Sequence, residues 1–303
     1  MTQQEPNGVL IVNKHAGVTS HDIVNRIRRL YQTKRVGHTG TLDPMATGVL
    51  VVLLGRAAKA SEYLSAERKR YRARLRLGLT TDTEDTTGTI LSQTDAIPTN
   101  DELQAILPSF LGDVMQIPPM YSALKVGGKK LVDLARKGEI IDREARKITV
   151  FEISATPTDE KTDFVLEVSC SGGTYIRTLC ADIGAKLGCG GAMAELCRLE
   201  TGGFSLLQAH TIEELEALTD EGRRSLLIPT EELFSTLPKI RLPSFYERLC
   251  RSGCEIYLQK IKAELPVGTR VRLCSQDGEF FALGDVSAYP NGNAVKAIKM
   301  FVL

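Results

Sequence analysis

One acidic residue, Asp43, lies in a loop that is otherwise built mainly from small residues. Residues 35–50 read RVGHTGTLDPMATGVL and contain three glycines and three threonines. Glycines let the backbone come close to a ligand, and Pro44 fixes the turn that follows the acid. A carboxylate presented in this way can act as a nucleophile. The alternative is a turn before a strand, in which Asp43 only accepts hydrogen bonds from nearby N–H groups.

Basic residues are concentrated in three segments, 26–35, 67–76 and 120–147, although the formal net charge is only +1. In residues 70–79 apolar residues alternate with four arginines, which places the arginines on one face of a strand. A polyanion relieves the repulsion in such a row, so the distribution predicts a surface that binds phosphate. The alternatives are solvated surfaces and pairing with acids of a neighbouring strand or helix. The arginines of the strand are Arg70, Arg72, Arg74 and Arg76.

Composition excludes several classes of protein. The chain has 303 residues, 43% hydrophobic and 25% charged, which is typical of one large globular domain with a smaller one. It has no run of 18 apolar residues, and its first residues lack a basic-then-apolar signal, so no membrane span and no secretion are expected. Seven cysteines without a Cys-x-x-Cys motif predict reduced thiols and a cytoplasmic location. Four scattered histidines without a His-Glu-x-x-His motif predict no metal site.

Hydrophobic periodicity predicts both strands and helices, and the fold class that we expect is α+β. Thr19 followed by Asp22, and Thr99 followed by Glu102, have the spacing of capping boxes at helix starts. Residues 237–243 contain two prolines and are interpreted as a linker. The pair Asp277-Gly278 predicts a hairpin in a β-rich tail. The predicted strands are residues 8–14, 49–54, 70–79, 148–155, 164–170, 195–201, 271–275, 279–286 and 293–302, and the predicted helices include 56–66, 99–111, 175–187 and 244–250.

The loop GHTGTLDPMATGVL resembles the catalytic loop of the TruB family of pseudouridine synthases. Four further segments resemble the same family in the same order, and a small β-rich tail follows them. They are KRYR at residues 69–72, PPMYSALK at 118–125, GGTYIRT at 172–178 and LCRL at 196–199. The resemblance implies an enzyme of the bacterial cytoplasm that isomerises uridine 55 in the T loop of tRNA to pseudouridine.

The resemblance also implies two domains. A pseudouridine synthase catalytic domain is expected over residues 1–238, with a large mixed, mainly antiparallel sheet and flanking helices and loops. Within it, the basic excursion 120–147 resembles the segment that closes over the T arm of the tRNA. Residues 239–303 resemble a PUA domain, a small β-rich module that binds RNA, and are expected to reach toward the acceptor side. The family expectation is a monomer without an obligatory protein partner.

Three residues correspond to the catalytic positions of the family. Asp43 matches the nucleophile, and Arg177 matches the arginine that pairs with it. A bidentate guanidinium stabilises an ionised carboxylate and fixes its orientation, which a nucleophile in a dry pocket requires. Tyr71 matches the tyrosine that stacks on the flipped uracil. The alternatives are an ordinary surface ion pair for Arg177 and core packing for Tyr71.

Further residues correspond to the positions that bind the substrate. Tyr175 and Leu196 match residues that line the uracil pocket, and His38 matches a residue that fills the space left by the flipped base. Taken alone, Leu196 is typical of an apolar core, and His38 of a loop histidine bonded to the backbone. The expected contacts with the RNA backbone are Lys125, Lys129, Lys130 and Arg70.

The implied reaction breaks the N1–C1′ bond of uridine and joins C5 to C1′. It involves no net oxidation or reduction, so no cofactor is expected. The carboxylate of Asp43 can attack C1′, attack C6 or remove a ribose proton, and the sequence leaves these three routes open. Two other functions compete: a guide-RNA-dependent pseudouridine synthase of the archaeal and eukaryotic type, and an RNA-binding protein without catalytic activity. The long basic excursion favours stand-alone recognition of RNA.

The chain departs from the family pattern at two positions. The family has a Lys-Pro pair near its first strand, where this chain has Lys14-His15. Loss of that proline is expected to loosen a turn. Near Leu196 the family often has two adjacent arginines, where this chain has Cys197 before Arg198. This second departure puts one RNA or structural contact in doubt.

Overall fold

The computed structural model describes residues 5–64 and 68–302, and in this part of the chain two sheets dominate. The strands, in chain order, are β1 Gly8–Lys14, β2 Val36–His38, β3 Thr47–Leu54, β4 Lys69–Leu77, β5 Leu79–Thr81, β6 Ile90–Gln93, β7 Gly112–Gln116, β8 Lys125–Val126, β9 Lys129–Lys130, β10 Arg146–Pro157, β11 Asp163–Cys170, β12 Gly191–Thr201, β13 Phe204–Ser205, β14 Lys239–Arg241, β15 Ile256–Tyr257, β16 Arg270–Cys274, β17 Phe280–Tyr289 and β18 Gly292–Met300. The helices are α1 Ser20–Leu30, α2 Asn100–Ile106, α3 Leu131–Ala135, α4 Ile176–Lys186, α5 Ile212–Ala217, α6 Asp220–Ser225 and α7 Ser244–Arg251.

The large sheet has the strand order β1-β3-β12-β4-β11-β10-β7, with β2 and β13 attached to β3 and β12. Its strand pairs are antiparallel except for β3 and β12, which run parallel where Gly48 lies beside Arg198. Gly48 has φ 102°, and a Cβ there would lie 2.2 Å from the Arg198 carbonyl oxygen, so only glycine permits this approach. The expected α+β fold with a mixed, mainly antiparallel sheet is confirmed.

The alternation predicted for β4 is confirmed, and one face of this strand forms the main core. Tyr71, Ala73, Leu75 and Leu77 are buried on that face. They pack with apolar residues of β11 and of the helix α4, which covers this side of the sheet. The core residues contributed by those two elements include Leu166, Val168, Leu179 and Ile183.

The four arginines on the other face of β4 are paired with acids. Glu167 accepts hydrogen bonds from Arg70 and Arg72, and the fully buried Asp163 accepts them from Arg74 and Arg76. Both acids lie on β11, the neighbouring strand. The four arginines of β4 are therefore paired with acids of the neighbouring strand, which was the alternative interpretation. These ion pairs relieve the repulsion between the arginines without a polyanion.

Several predicted ends of elements shift in the structure. The predicted capping boxes of Thr19 and Thr99 are present. The helix expected over 99–111 is α2 followed by a 3-10 turn, Leu107–Phe110, because Pro108 cannot donate to a continuing helix. The helix expected over 56–66 is a 3-10 helix, Gly55–Tyr63, and residues 65 and 66 lie outside the part that the structure describes.

The linker predicted over 237–243 is wrong. Residues Lys239–Arg241 form β14, which pairs in parallel with β16. Ile240 and Leu242 are buried there, and the two prolines flank the strand instead of interrupting it. The strand opens a second sheet of order β14-β16-β17-β18-β15, in which β16 and β17 form the hairpin predicted at Asp277-Gly278. The domain boundary at 238/239 stays a prediction.

The second sheet packs against the large one near strands β1 and β3. Phe280 and Phe301 contact Phe234, with ring centroids 5.9 and 5.6 Å from that of Phe234. The same apolar cluster includes side chains of β1 and β3. The two sheets therefore share buried surface.

No helix in residues 5–64 or 68–302 is both long and apolar enough to cross a membrane.

We expect Asp163→Asn to lower the free energy of unfolding by about 2 kcal/mol at pH 7. The arginines and Thr162 hold the pKa of Asp163 at about 2, against the opposing effect of burial. A lowered folded-state pKa stabilises the fold above the unfolded-state value of 3.8, and this contribution disappears as the pH falls toward 2. Urea titrations should show that the difference between the native chain and Asp163→Asn is largest at pH 7 and shrinks in acid. The exposed Asp159→Asn is the control, and an equal effect in both variants would contradict the assignment.

Candidate active site

A cavity of ≈ 750 Å³ opens where the Asp43 loop, β4 and the start of α4 meet. This volume lies within the range of ligand pockets. Its lining includes all three residues predicted as catalytic and two of those predicted to bind the substrate. These residues are Asp43, Tyr71, Tyr175, Arg177 and Leu196.

Asp43 and Arg177 form a bidentate ion pair at this cavity. Arg177 Nε lies 2.9 Å from Asp43 Oδ2, and Nη2 lies 3.3 Å from Oδ1. The side chain of Arg177 is only 5% exposed, whereas that of Asp43 is 35% exposed. An ordinary surface ion pair does not have a buried guanidinium, so this alternative for Arg177 does not describe the structure. The carboxylate is accessible from the cavity while its partner is fixed behind it.

Arg177 is held by main-chain carbonyls as well as by Asp43. Nη1 donates to the Thr83 carbonyl at 3.0 Å, and Nη2 donates to the Tyr121 carbonyl at 2.8 Å. The buried carboxylate of Asp85 lies 3.8 Å from Nη1. No role for Asp85 was predicted from the sequence. Its position among threonines was the available signal, since Thr83 and Thr87 donate to Asp85 Oδ1.

The loop that carries Asp43 is held by hydrogen bonds from distant residues to the main chain of Gly40 and Leu42. Ser20 Oγ accepts a hydrogen bond from the Leu42 N–H at 2.8 Å and donates one to the Leu42 carbonyl at 3.1 Å. Two residues earlier, Arg198 Nη2 donates to the Gly40 carbonyl at 3.0 Å. Ser20 and Arg198 are both buried, so water does not compete for these hydrogen bonds. No role for Ser20 was predicted from the sequence.

Lys14 continues this pattern on the other side of Asp43. Its Nζ donates to the carbonyls of Pro44 and Ala46 at 3.2 and 2.5 Å, and to that of His15 at 3.0 Å. Lys14 is fully buried, and burial lowers its pKa to about 8 although Asp43 acts in the opposite direction. Lys14, the lysine of the pair in which His15 stands where the family has proline, therefore makes the contact with the Asp43 loop. A lysine at the end of an apolar strand was the signal in the sequence.

Arg198 connects the Asp43 loop to Tyr71. It is 1% exposed, its Nε donates to the Val49 carbonyl at 2.7 Å, and it lies opposite Tyr71 in the β12–β4 pair. Burial raises the pKa of Tyr71, so this hydroxyl stays protonated at neutral pH. Cys197, the second departure from the family pattern, is half-buried beside Thr47 in the β3–β12 pair.

His38 is placed apart from the other predicted residues. It ends β2, opposite Val52, and it is not among the residues that line the cavity. Its pKa is lowered by burial, and further by Arg198 and His21. Within residues 5–64 and 68–302 its Nδ1 finds no hydrogen-bond partner, so the backbone-bonded alternative is not observed for this atom. The role of His38 stays a prediction.

The basic excursion borders the mouth of the cavity. Its hairpin β8–β9 places Lys125 directly opposite Lys130, and both are exposed, as is Lys129. Leu124, immediately before the hairpin, lines the cavity, as does Arg136 after α3. The predicted phosphate contacts thus lie close to the site, whereas Arg70 is bonded to Glu167. Their role in binding RNA stays a prediction.

Two family models cover most of the chain. That of the TruB family pseudouridylate synthase N-terminal domain matches residues 28–176, and that of the tRNA pseudouridylate synthase B C-terminal domain matches residues 177–235. A protein of Alkaliphilus oremlandii named tRNA pseudouridine synthase B is 46% identical over 83% of each chain. The chain belongs to the TruB family. It is therefore a pseudouridine synthase, an isomerase.

Other TruB relatives match a larger share of the chain. A tRNA pseudouridine synthase B of Clostridium tetani is 40% identical over 92% of this chain and 95% of its own length. Among solved structures, one in a Cbf5–Nop10–Gar1 complex matches with a TM-score of 0.76 and 26% identity, over 98% of this chain and 85% of that chain. The structural match therefore extends into the second sheet.

We expect Ser20→Ala to slow pseudouridine formation about tenfold, because the Leu42 N–H and carbonyl lose their partner next to Asp43. Single-turnover rates at saturating enzyme measure this effect. Ser109→Ala is the matched control, since Ser109 also donates to a carbonyl but is exposed and lies outside the site. Equal rates in the two variants would show that Ser20 does not position the loop.

Proposed function

We propose that this TruB-family enzyme converts uridine 55 in the T loop of tRNA to pseudouridine, with Asp43 as the nucleophile. The observation that carries the proposal is the bidentate Asp43–Arg177 pair beside a cavity whose lining includes Tyr71 and Tyr175. The name of the relatives, tRNA pseudouridine synthase B, supports tRNA as the substrate. The resemblance of the Asp43 loop to the catalytic loop of the family supports the T-loop position.

The reaction requires an ionised carboxylate next to the nucleoside. The N1–C1′ bond breaks, C5 bonds to C1′, C5 loses its proton and N1 gains one, so the product is an isomer of the substrate. Attack on C1′, attack on C6 and removal of a ribose proton all begin with a lone pair on Asp43. A guanidinium beside the acid stabilises the charged form and orients it. Arg177 occupies that place, and the partly exposed Asp43 leaves room for a nucleotide.

The cavity suits a uracil that has left its stack. Base-modifying enzymes must extrude the target base, and stacking on an aromatic ring contributes roughly 1–3 kcal/mol per base. Tyr71 and Tyr175 offer two such rings, and Leu196 adds an apolar wall. Arg198 lies opposite Tyr71 and donates to the Gly40 carbonyl, so one buried side chain contacts both the strand of the ring and the Asp43 loop.

The basic hairpin supplies the grip on RNA in this proposal. Opposed lysines at 125 and 130 repel each other, and phosphate binding relieves that repulsion. Binding should therefore weaken steeply with salt. The second sheet, as a PUA-like domain, reaches toward the acceptor side. The enzyme acts as a cytoplasmic monomer without an obligatory protein partner or cofactor.

Two other functions have less support. The guide-RNA-dependent alternative is supported by the likeness to Cbf5 chains solved with Nop10, but those chains are only 26% identical to this one. The relatives at 40–46% identity are named as tRNA pseudouridine synthases. A non-catalytic RNA-binding protein has no need for a buried arginine that orients an acid inside a cavity.

Tritium release tests the proposed function directly. The native chain, incubated with tRNA that carries tritium on C5 of its uridines, should release tritium to water without any added factor. A tRNA with cytidine in place of uridine 55 should release none, because C5 of the target uridine is the atom that loses its hydrogen. Release from both tRNAs would show that another uridine is modified, and release from neither would refute the proposed activity.

We expect Asp43→Asn to lower the single-turnover rate by at least ~10³-fold, because the amide lacks the nucleophilic charge. The affinity for tRNA should change by less than about threefold, since Asp43 faces the cavity and not the basic hairpin. Filter binding and tritium release measure the two quantities on the same samples. The exposed Asp95→Asn controls for the loss of one negative charge. Appreciable turnover by Asp43→Asn would exclude the nucleophile role.

A further inference from the structure

Gln116 makes an unusual contact with the residue that begins α4. It is the last residue of β7, and its side chain is buried, with the residue only 3% exposed. Its Nε2 donates to the Tyr175 carbonyl at 3.0 Å, and its Oε1 accepts from the Tyr175 N–H at 2.8 Å. Both polar ends of one buried amide are thus bonded to the main chain of a single residue, as in a bridge between two strands.

This contact holds a helix start that lacks a side-chain cap from the described residues. Tyr175 is the N-cap of α4, and no side-chain cap hydrogen bond is found at this helix start in the described part of the chain. Its carbonyl accepts the first helical bond, from the Leu179 N–H at 3.0 Å. Since an N-cap normally receives its fixed orientation from its own side chain, the start of α4 depends here on Gln116.

The residue that Gln116 holds, Tyr175, is itself part of the site, and Arg177 follows two residues later. Tyr175 lines the cavity, and Arg177 in the first turn of α4 holds Asp43. The longer of the two Arg177–Asp43 contacts is already 3.3 Å, so a displacement of a few tenths of an ångström would break it. The same chain segment that carries Gln116 also brings the Tyr121 carbonyl onto Arg177.

We propose that Gln116 is a positioning residue of the isomerisation, which acts through Tyr175 to set Arg177 against Asp43. This inference rests on the proposed function of the Asp43 site. Gln116 touches no reacting atom. Its burial at a position where the alternation of β7 faces the core, with Met115 exposed beside it, shows that the amide is directed toward Tyr175 and not toward RNA. Loss of the clamp should therefore reduce the chemical step and leave binding nearly unchanged.

The test compares Gln116→Met, which removes both hydrogen bonds, with Gln116→Glu, which keeps the size of the side chain but turns an oxygen toward the Tyr175 carbonyl. The control is Gln104→Met, because Gln104 also donates to a carbonyl, that of Ala155, but lies on the exposed side of α2. We expect the single-turnover rate of both Gln116 variants to fall about 100-fold, with the Kd for tRNA within about threefold of the native value.

Exchange of the Tyr175 amide hydrogen, measured without RNA, reports the clamp separately. It should accelerate about tenfold or more in Gln116→Met, which lacks the oxygen that accepts this N–H, and not in Gln104→Met. Faster exchange with a rate within about threefold of Gln104→Met would overturn the proposal, as would equal losses of rate and affinity. Inactivity of the native chain would refute the proposed function instead, because the exchange measurement would still decide whether Gln116 holds Tyr175.

Discussion

The ion pair between Asp43 and Arg177 is the interaction on which the site depends, because it joins a loop near the start of the chain to a helix far along it. Neither partner is held by its own neighbours alone. Ser20, Lys14 and Arg198 bind the main chain on the side of Asp43, and carbonyls of Thr83 and Tyr121 bind Arg177. The sheet brings these supports together, so the fold acts on the reaction mainly through main-chain contacts.

The charges around the cavity are supported in the same way. Lys14, Arg177 and Arg198 are buried cations, and the acids nearest to Arg177 are Asp43 and Asp85. Buried charges are costly unless they are bonded, and each of these cations donates to carbonyl oxygens. The resulting excess of positive charge beside Asp43 suits a carboxylate that must remain ionised next to a polyanionic substrate.

Five residues that line the cavity were predicted from the sequence, but Ser20 and Gln116, which support them, were not. Asp43, Tyr71 and Arg177 belong to short motifs that resemble those of one family. The structure brings these three residues together at the cavity. Ser20 and Gln116 bind main-chain atoms of residues distant in sequence, and such a contact leaves no pattern in residue types. The same limit explains the strand at Lys239–Arg241, where flanking prolines suggested a linker and the pairing with β16 decided the outcome.

The contact of Phe234 with Phe280 and Phe301 has a consequence for dissecting the molecule. Because these rings belong to one apolar cluster that also includes strands β1 and β3, the two sheets should lose their structure in a single cooperative event. A truncation after residue 238 would leave Phe234 and its neighbours facing water. Any loss of activity in such a fragment would then report damage to the scaffold under the Asp43 loop, and not the contribution of the removed residues to gripping RNA.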